Sequence, residues 1–123
     1  MSDLATVRVT EHGQVVVAEL VGEVDLSNTE SLRRTLVDAV PAGAVGLVLD
    51  LQGLAYLDSA GVRLLFDLSE RLRERRQALR LVVTEESPVH RVLDLVSLRE
   101  SVPIDESVAD ALGALDARAP EPG

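Results

Sequence analysis

The chain contains no cysteine and no lysine, and its only aromatic residues are Tyr56 and Phe66. Without cysteine there is no disulfide framework, no thiol nucleophile and no Cys-based metal site. With two aromatics there is no platform on which bases or sugar rings could stack, so single-stranded nucleic acid is a poor ligand. The core has to be built from Leu, Val, Ile and Ala. All 12 basic residues are arginine. They are scattered among acidic neighbours, which reads as a compositional bias and not as a phosphate-binding cluster. No apolar run approaches the roughly 20 residues that span a bilayer, so membrane insertion is not expected, although docking onto a membrane complex stays open. The start, Met1-Ser2-Asp3-Leu4, has neither a basic nor an apolar leader segment, and the expected location is the cytoplasm.

What is present is a charge of -9 on 123 residues. Phosphate backbones are bound by basic surfaces, so direct nucleic-acid binding is not expected and a protein partner fits better. The length suits one domain, long enough to bury about two-thirds of its unfolded surface. The expected domain covers residues 1–116, followed by a flexible tail over 117–123, because the Ala, Pro and Gly of 119–123 add nothing to a core.

Along the chain, Thr6 to Thr10 and Val15 to Val21 read as a strand pair joined around Glu11-His12-Gly13-Gln14. Gly22-Glu23-Val24-Asp25-Leu26 leads to Ser27-Asn28-Thr29-Glu30, where Ser27 and Glu30 have capping-box spacing for a helix with Leu32, Leu36 and Val40 as its apolar stripe. Pro41-Ala42-Gly43 ends that helix. Val45 to Leu51 is apolar enough to be a strand buried on both faces, and a short loop is expected to follow it. Val62, Leu65, Leu68 and Leu72 make the inner face of a long helix starting near Ser59, with Arg63, Asp67, Glu70, Arg71 and Glu74 outside. Arg73, Arg75 and Arg76 complement the dipole at its end and read as a solvated face. Leu79 to Thr84 is the next strand. Ser87-Pro88 opens a helix along Val89, Val92, Leu93 and Val96. A short strand near Val102 to Ile104 precedes a last helix capped by Asp105 or Ser107, carrying Val108, Ala111, Leu112 and Leu115. The order β-β-α-β-α-β-α-β-α predicts an α/β fold: a small mixed sheet, antiparallel in its first pair and parallel afterwards, with about four helices packed on it.

The residues with most chemical content are Asp58 and Ser59, where a strand gives way to the long helix. A helix start presents unpaired N–H groups, so an anion on Ser59 would be stabilised there. The plainer role for Asp58 or Ser59 is that of an N-cap. Three features coincide around this point: Gly22-Glu23-Val24-Asp25, Leu49-Asp50-Leu51 with Leu57-Asp58-Ser59-Ala60-Gly61, and Ser87-Pro88-Val89-His90-Arg91-Val92-Leu93. Together they resemble a STAS domain from about Val7 to Leu115, and in particular the stand-alone bacterial anti-sigma factor antagonists.

The resemblance implies that Ser59 is phosphorylated by an anti-sigma factor that is an ATP-dependent serine kinase. It implies that the unphosphorylated form binds this kinase, frees its sigma factor and is reset by a PP2C-type phosphatase. Asp25, Asp58, Ser59, Ala60 and Gly61 are then the partner-binding residues. No cofactor is expected, since the ATP belongs to the kinase, and neither is a metal. A monomer or small oligomer is expected. Two departures stand out. Ala60 occupies the place where the family often has a second serine. Leu95-Val96-Ser97-Leu98 lacks the glycine usual after the third helix; a serine with negative φ is expected there, with a slightly different helix exit.

Two other functions are compatible with parts of the sequence. A serine between strand and helix also occurs in the hydrolase nucleophile elbow, Gly-x-Ser-x-Gly, but Leu57 stands at its first glycine. The base would have to be His12, in a hairpin turn, or His90, after Pro88, and both read as solvated polar residues. The second alternative keeps the fold: a STAS subunit of a stress-signalling scaffold or of a lipid transport complex.

Overall fold

A computed structural model describes residues 5–118. The elements are β1 (Ala5–His12), β2 (Val15–Val24), α1 (Thr29–Ala39), β3 (Gly46–Leu57), α2 (Ser59–Glu74), β4 (Ala78–Val82), α3 (His90–Leu95), a 3-10 turn (Leu98–Glu100), β5 (Ile104–Asp105) and α4 (Val108–Arg118). They occur in the expected order. Helix α4 runs to Arg118, and the part of the expected tail beyond it, residues 119–123, lies outside the described residues.

One five-stranded sheet has the order β1-β2-β3-β4-β5. The first pair is antiparallel, closed by a two-residue turn in which Gly13 takes φ +63°, and the remaining pairs are parallel. Each crossover adds its strand on the same side of the last, so crossovers of one hand place α1, α2 and α3 on a single face. That face holds the main core, in which Val16, Ala18, Leu20, Leu47, Leu49 and Leu81 meet Leu36, Leu65, Leu68, Leu72 and Leu93. The opposite face needs its own cover. There α4 lays Ala111 and Leu115 over Val15, Val17, Val48 and Val82. This explains why β2 and the first half of β3 are apolar at consecutive positions.

Strand β3 is longer than the sequence pattern indicates, and no loop separates it from Asp58. It holds two more residues than the stretch of β2 it pairs with. Glu19 faces Asp50 but Val21 faces Gly53, and Gly22 faces Leu54 but Glu23 faces Tyr56. The extra residues are bulges, which break the period-two alternation and disguise Gln52-Gly53 as a loop. Asp50, buried in this strand, accepts hydrogen bonds from the Gln52 backbone N–H (3.0 Å) and side-chain amide (3.1 Å), bridging the first bulge. On the facing strand Gly22 takes φ +119°, a conformation open mainly to glycine.

Several helix ends depart from the expectation. The capping box is not formed: Asn28, not Ser27, stands at the N-cap of α1, and it makes no side-chain cap bond. Its side chain turns back to β2, accepting from the Asp25 N–H (3.0 Å) and donating to the Glu23 carbonyl (2.9 Å). Glu30 pairs with Arg33 at 2.6 Å. Helix α3 starts at His90, later than Pro88 predicts, because Ser87 closes a turn first: its carbonyl accepts from the His90 N–H and its hydroxyl from the Val89 N–H. Of the two proposed caps for α4, Ser107 serves, accepting from the Asp110 N–H at 3.0 Å. Asp105 instead holds Arg80 in a two-pronged pair (2.7 and 3.0 Å), whose hydrogen bonds raise the guanidinium pKa above its ordinary value against the opposing effect of burial. Within the arginine group at the end of α2, Arg75 is not merely solvated, since it donates to the Val40 carbonyl at 2.8 Å.

Ser97 has φ +54° and ψ +34°, not the expected negative φ. The left-handed turn is needed to reverse the chain after α3 so that Leu98 can bury completely. The helix exit is therefore the glycine-type exit, occupied by a serine. A left-handed residue with a Cβ costs about 1–2 kcal/mol, and glycine regains part of that in the unfolded chain. Ser97→Gly is expected to stabilise by up to about 1 kcal/mol, and Ser97→Val to destabilise by more than about 1 kcal/mol. Thermal melts check both; a Val variant as stable as the parent would contradict a left-handed turn here.

Candidate functional site

Strands β2 and β3 run parallel and end side by side, with Val24 opposite Leu57. The next residues, Asp25 and Asp58, therefore emerge together at the carboxyl edge of the sheet, and the Asp58 N–H donates to the Val24 carbonyl at 3.3 Å. Both carboxylates are engaged in shaping the backbone. That of Asp25 accepts from the Ser27 N–H (2.8 Å) and hydroxyl, which holds the turn into α1. That of Asp58 accepts from the Gly61 N–H at 3.0 Å, making Asp58 the N-cap of α2.

Because Asp58 caps the helix, Ser59 is left free. It is the first residue of α2, exposed, and its hydroxyl makes no hydrogen bond among the described residues. The structure thus separates two roles that the sequence left open between Asp58 and Ser59. Ala60 follows at the surface, half-buried, while Gly61 is buried. A Cβ on Gly61 would run into the Leu57 side chain and press on Val24 Cγ1 at 3.1 Å. Gly61 therefore acts by letting the first turn of α2 settle onto the two strand ends, and it has no side chain to offer a partner.

Around this edge lie apolar groups that the sequence reading did not single out. Leu26 is 79% exposed, Tyr56 49% and Val21 44%. Leu26 falls outside the 3.6-residue stripe of α1, and Tyr56 is turned outward by the second bulge beside Leu57. Only the break in periodicity at Gln52-Gly53 hinted at that. Leu26, Ala60 and Leu64 line a groove between α1 and α2, with Arg33 and Arg63 on its rim. Another hollow, lined by Ser69, Arg73, Gln77 and Arg80, lies toward the opposite end of α2.

Among the described residues neither histidine hydrogen-bonds Ser59. His12, at the far end of the sheet, contacts Thr10. His90 lies between Asp94 (3.3 Å) and Arg99 (3.2 Å). The hydrogen-bonded base that activates a nucleophilic serine is thus not paired with Ser59 among the described residues.

Comparison with known proteins bears on the family and the fold. The STAS domain family matches residues 6–111. The anti-sigma-F factor antagonist RsfB of Mycobacterium tuberculosis is 30% identical over 111 residues, covering 89% of this chain and 88% of that protein. An anti-sigma F factor antagonist of Paenibacillus polymyxa is 25% identical over 111 residues, with 89% and 94% covered. Among solved structures, an anti-sigma factor antagonist from Mycobacterium paratuberculosis has a TM-score of 0.81 at 26% identity, covering 91% of this chain and 94% of that one.

The division between cap and free hydroxyl has a measurable consequence. Asp58→Ala removes the acceptor for a helix-start N–H and is expected to cost about 1–2 kcal/mol, whereas Ser59→Ala should cost clearly less, at most about 1 kcal/mol. Denaturant unfolding of the two variants decides it. The reverse ranking would make Ser59 a structural residue.

Proposed function

The chain belongs to the STAS-domain family, among the anti-sigma factor antagonists, and from that premise we propose that its unphosphorylated form binds an anti-sigma factor kinase and so releases the sigma factor, while phosphorylation of Ser59 ends the binding. It is a regulatory binding protein and not an enzyme. The kinase supplies the ATP, a PP2C-type phosphatase restores the serine, and the cycle runs in the cytoplasm. None of the described helices is long and apolar enough to cross a membrane.

The observation that carries this reading is the spare serine. A hydroxyl that caps nothing and faces solvent can be modified without loss of a structural bond, and a phosphate at a helix start need not disturb the core. The group adds about -1.5 to -2 charge beside Asp25 and Asp58, on the edge where Leu26 and Tyr56 offer apolar contact. Two like charges brought to about 4 Å at an effective dielectric near 20 repel by roughly 4 kcal/mol, about three decades in affinity. One phosphate therefore suffices to end a micromolar complex. Ala60 leaves no second hydroxyl within the motif.

Incubation with the cognate kinase and ATP is expected to place one phosphate on Ser59 and none on Ser59→Ala. Phosphopeptide mapping to Ser87 or Ser97 instead would overturn the assignment. Ser59→Ala should still bind the kinase, while Ser59→Asp and Ser59→Glu should bind it more weakly with an unchanged circular dichroism spectrum. The loss should be partial, because a carboxylate carries less charge than a phosphate, and it should shrink as salt rises. Titration calorimetry at two ionic strengths measures this; acidic variants that bind like the parent at low salt would exclude repulsion as the mechanism.

A further inference from the structure

Arg63 stands one helical turn beyond Ser59. Residues four apart on a helix are neighbours, with Cβ atoms about 5–6 Å apart, and helical side chains lean toward the N-terminus, so an arginine at this position reaches back over the serine. Arg63 is exposed and has no ion pair or hydrogen bond among the described residues. The contrast with its neighbours is informative. Across the groove Arg33 is already held by Glu30, and farther along α2 Arg73 pairs with Glu70 at 3.4 Å. Asp67, one turn beyond Arg63, lines the same groove but does not come within ion-pair distance of it.

We propose that in the phosphorylated protein Arg63 pairs with the phosphate on Ser59 across this turn, so that the modification both adds an anion at the sheet edge and withdraws a free cation from the rim of the α1–α2 groove. The inference rests on Ser59 being the phosphorylated residue. A phosphate carries three strong acceptor oxygens and a guanidinium is a planar fork of donors, so the pair is matched in shape as well as charge. The other charged groups nearby, Asp58 and Asp25 beside the serine and Asp67 and Glu30 along the groove, are acidic, and Arg33 is occupied. Among the described residues of this groove, Arg63 is the cation without a partner that stands one turn from Ser59. The switch is then a change of two charges: an acidic partner group meets a free arginine before modification and a neutralised one, beside a new anion, after it.

The test uses full-length protein with phosphoserine installed at position 59 during translation, so it does not depend on a kinase. A paired cation favours the dianion, so the second phosphate pKa, ordinarily near 6, should lie lower in the parent than in Arg63→Gln. Phosphorus NMR titration is expected to show the midpoint rising by about 0.2–0.7 pH unit in Arg63→Gln, the range for an exposed ion pair. Arg63→Lys should keep most of the parent value. Arg71→Gln removes the same charge from the same helix three turns away and should leave the midpoint unchanged. An unshifted Arg63→Gln titration, an equal shift in Arg71→Gln, or Arg63→Lys titrating like Arg63→Gln would each overturn the pairing. Failure of the cognate kinase to modify Ser59 would instead overturn the functional reading and leave this titration intact.

Discussion

Pairing twelve residues of β3 against ten of β2 is the constraint on which the rest of the molecule depends. The two surplus residues have to leave the ladder, and they do so as bulges in the carboxyl half of β3. On either side of the second bulge Leu54 and Leu57 both face the core although they are three residues apart. The strand end is re-aimed so that Asp58 comes level with the end of β2 and its N–H donates to the Val24 carbonyl. Buried Asp50 and glycine at position 22 are the local devices that make this offset tolerable. Without the offset the α2 helix would start elsewhere, and neither Gly61 nor Ser59 would stand where it does.

The edge so built divides its labour. Asp25 and Asp58 are spent on backbone N–H groups, Asn28 ties α1 back to β2, and Gly61 provides close approach. These fixed parts leave a single hydroxyl unused in the middle of the motif. A rigid platform with one free group suits a switch that works by surface charge, because modification changes what a partner meets and not how the domain packs. Helix α4 covers the opposite face and completes the fold.

Much of this was legible beforehand because it rests on periodicity and on residue types with few alternatives. The apolar stripes of α1 and α2 and the double-sided burial of Val45 to Leu51 define an α/β sheet with an antiparallel start. What escaped the sequence depended on competition between nearby partners. Ser27 and Glu30 have the spacing of a capping box, yet Ser27 is captured by Asp25 and Glu30 by Arg33. Asp105 could cap α4, but Arg80, 25 residues away in the chain, offers a stronger partner.

By itself the sequence determined the order of elements and the composition of the core, since these follow from local pattern and residue chemistry. Only the tertiary structure decided which of Asp58 and Ser59 caps the helix, that Ser97 adopts a left-handed turn, and that Leu26, Tyr56 and Arg63 stand free around the site. The cap and the turn are set by what lies across the fold, the register of β2 against β3 and the burial of Leu98, while Arg33 is held by Glu30 within α1. A hydrogen bond or an exposed face is a relation between segments, and its partners are chosen only when the segments meet.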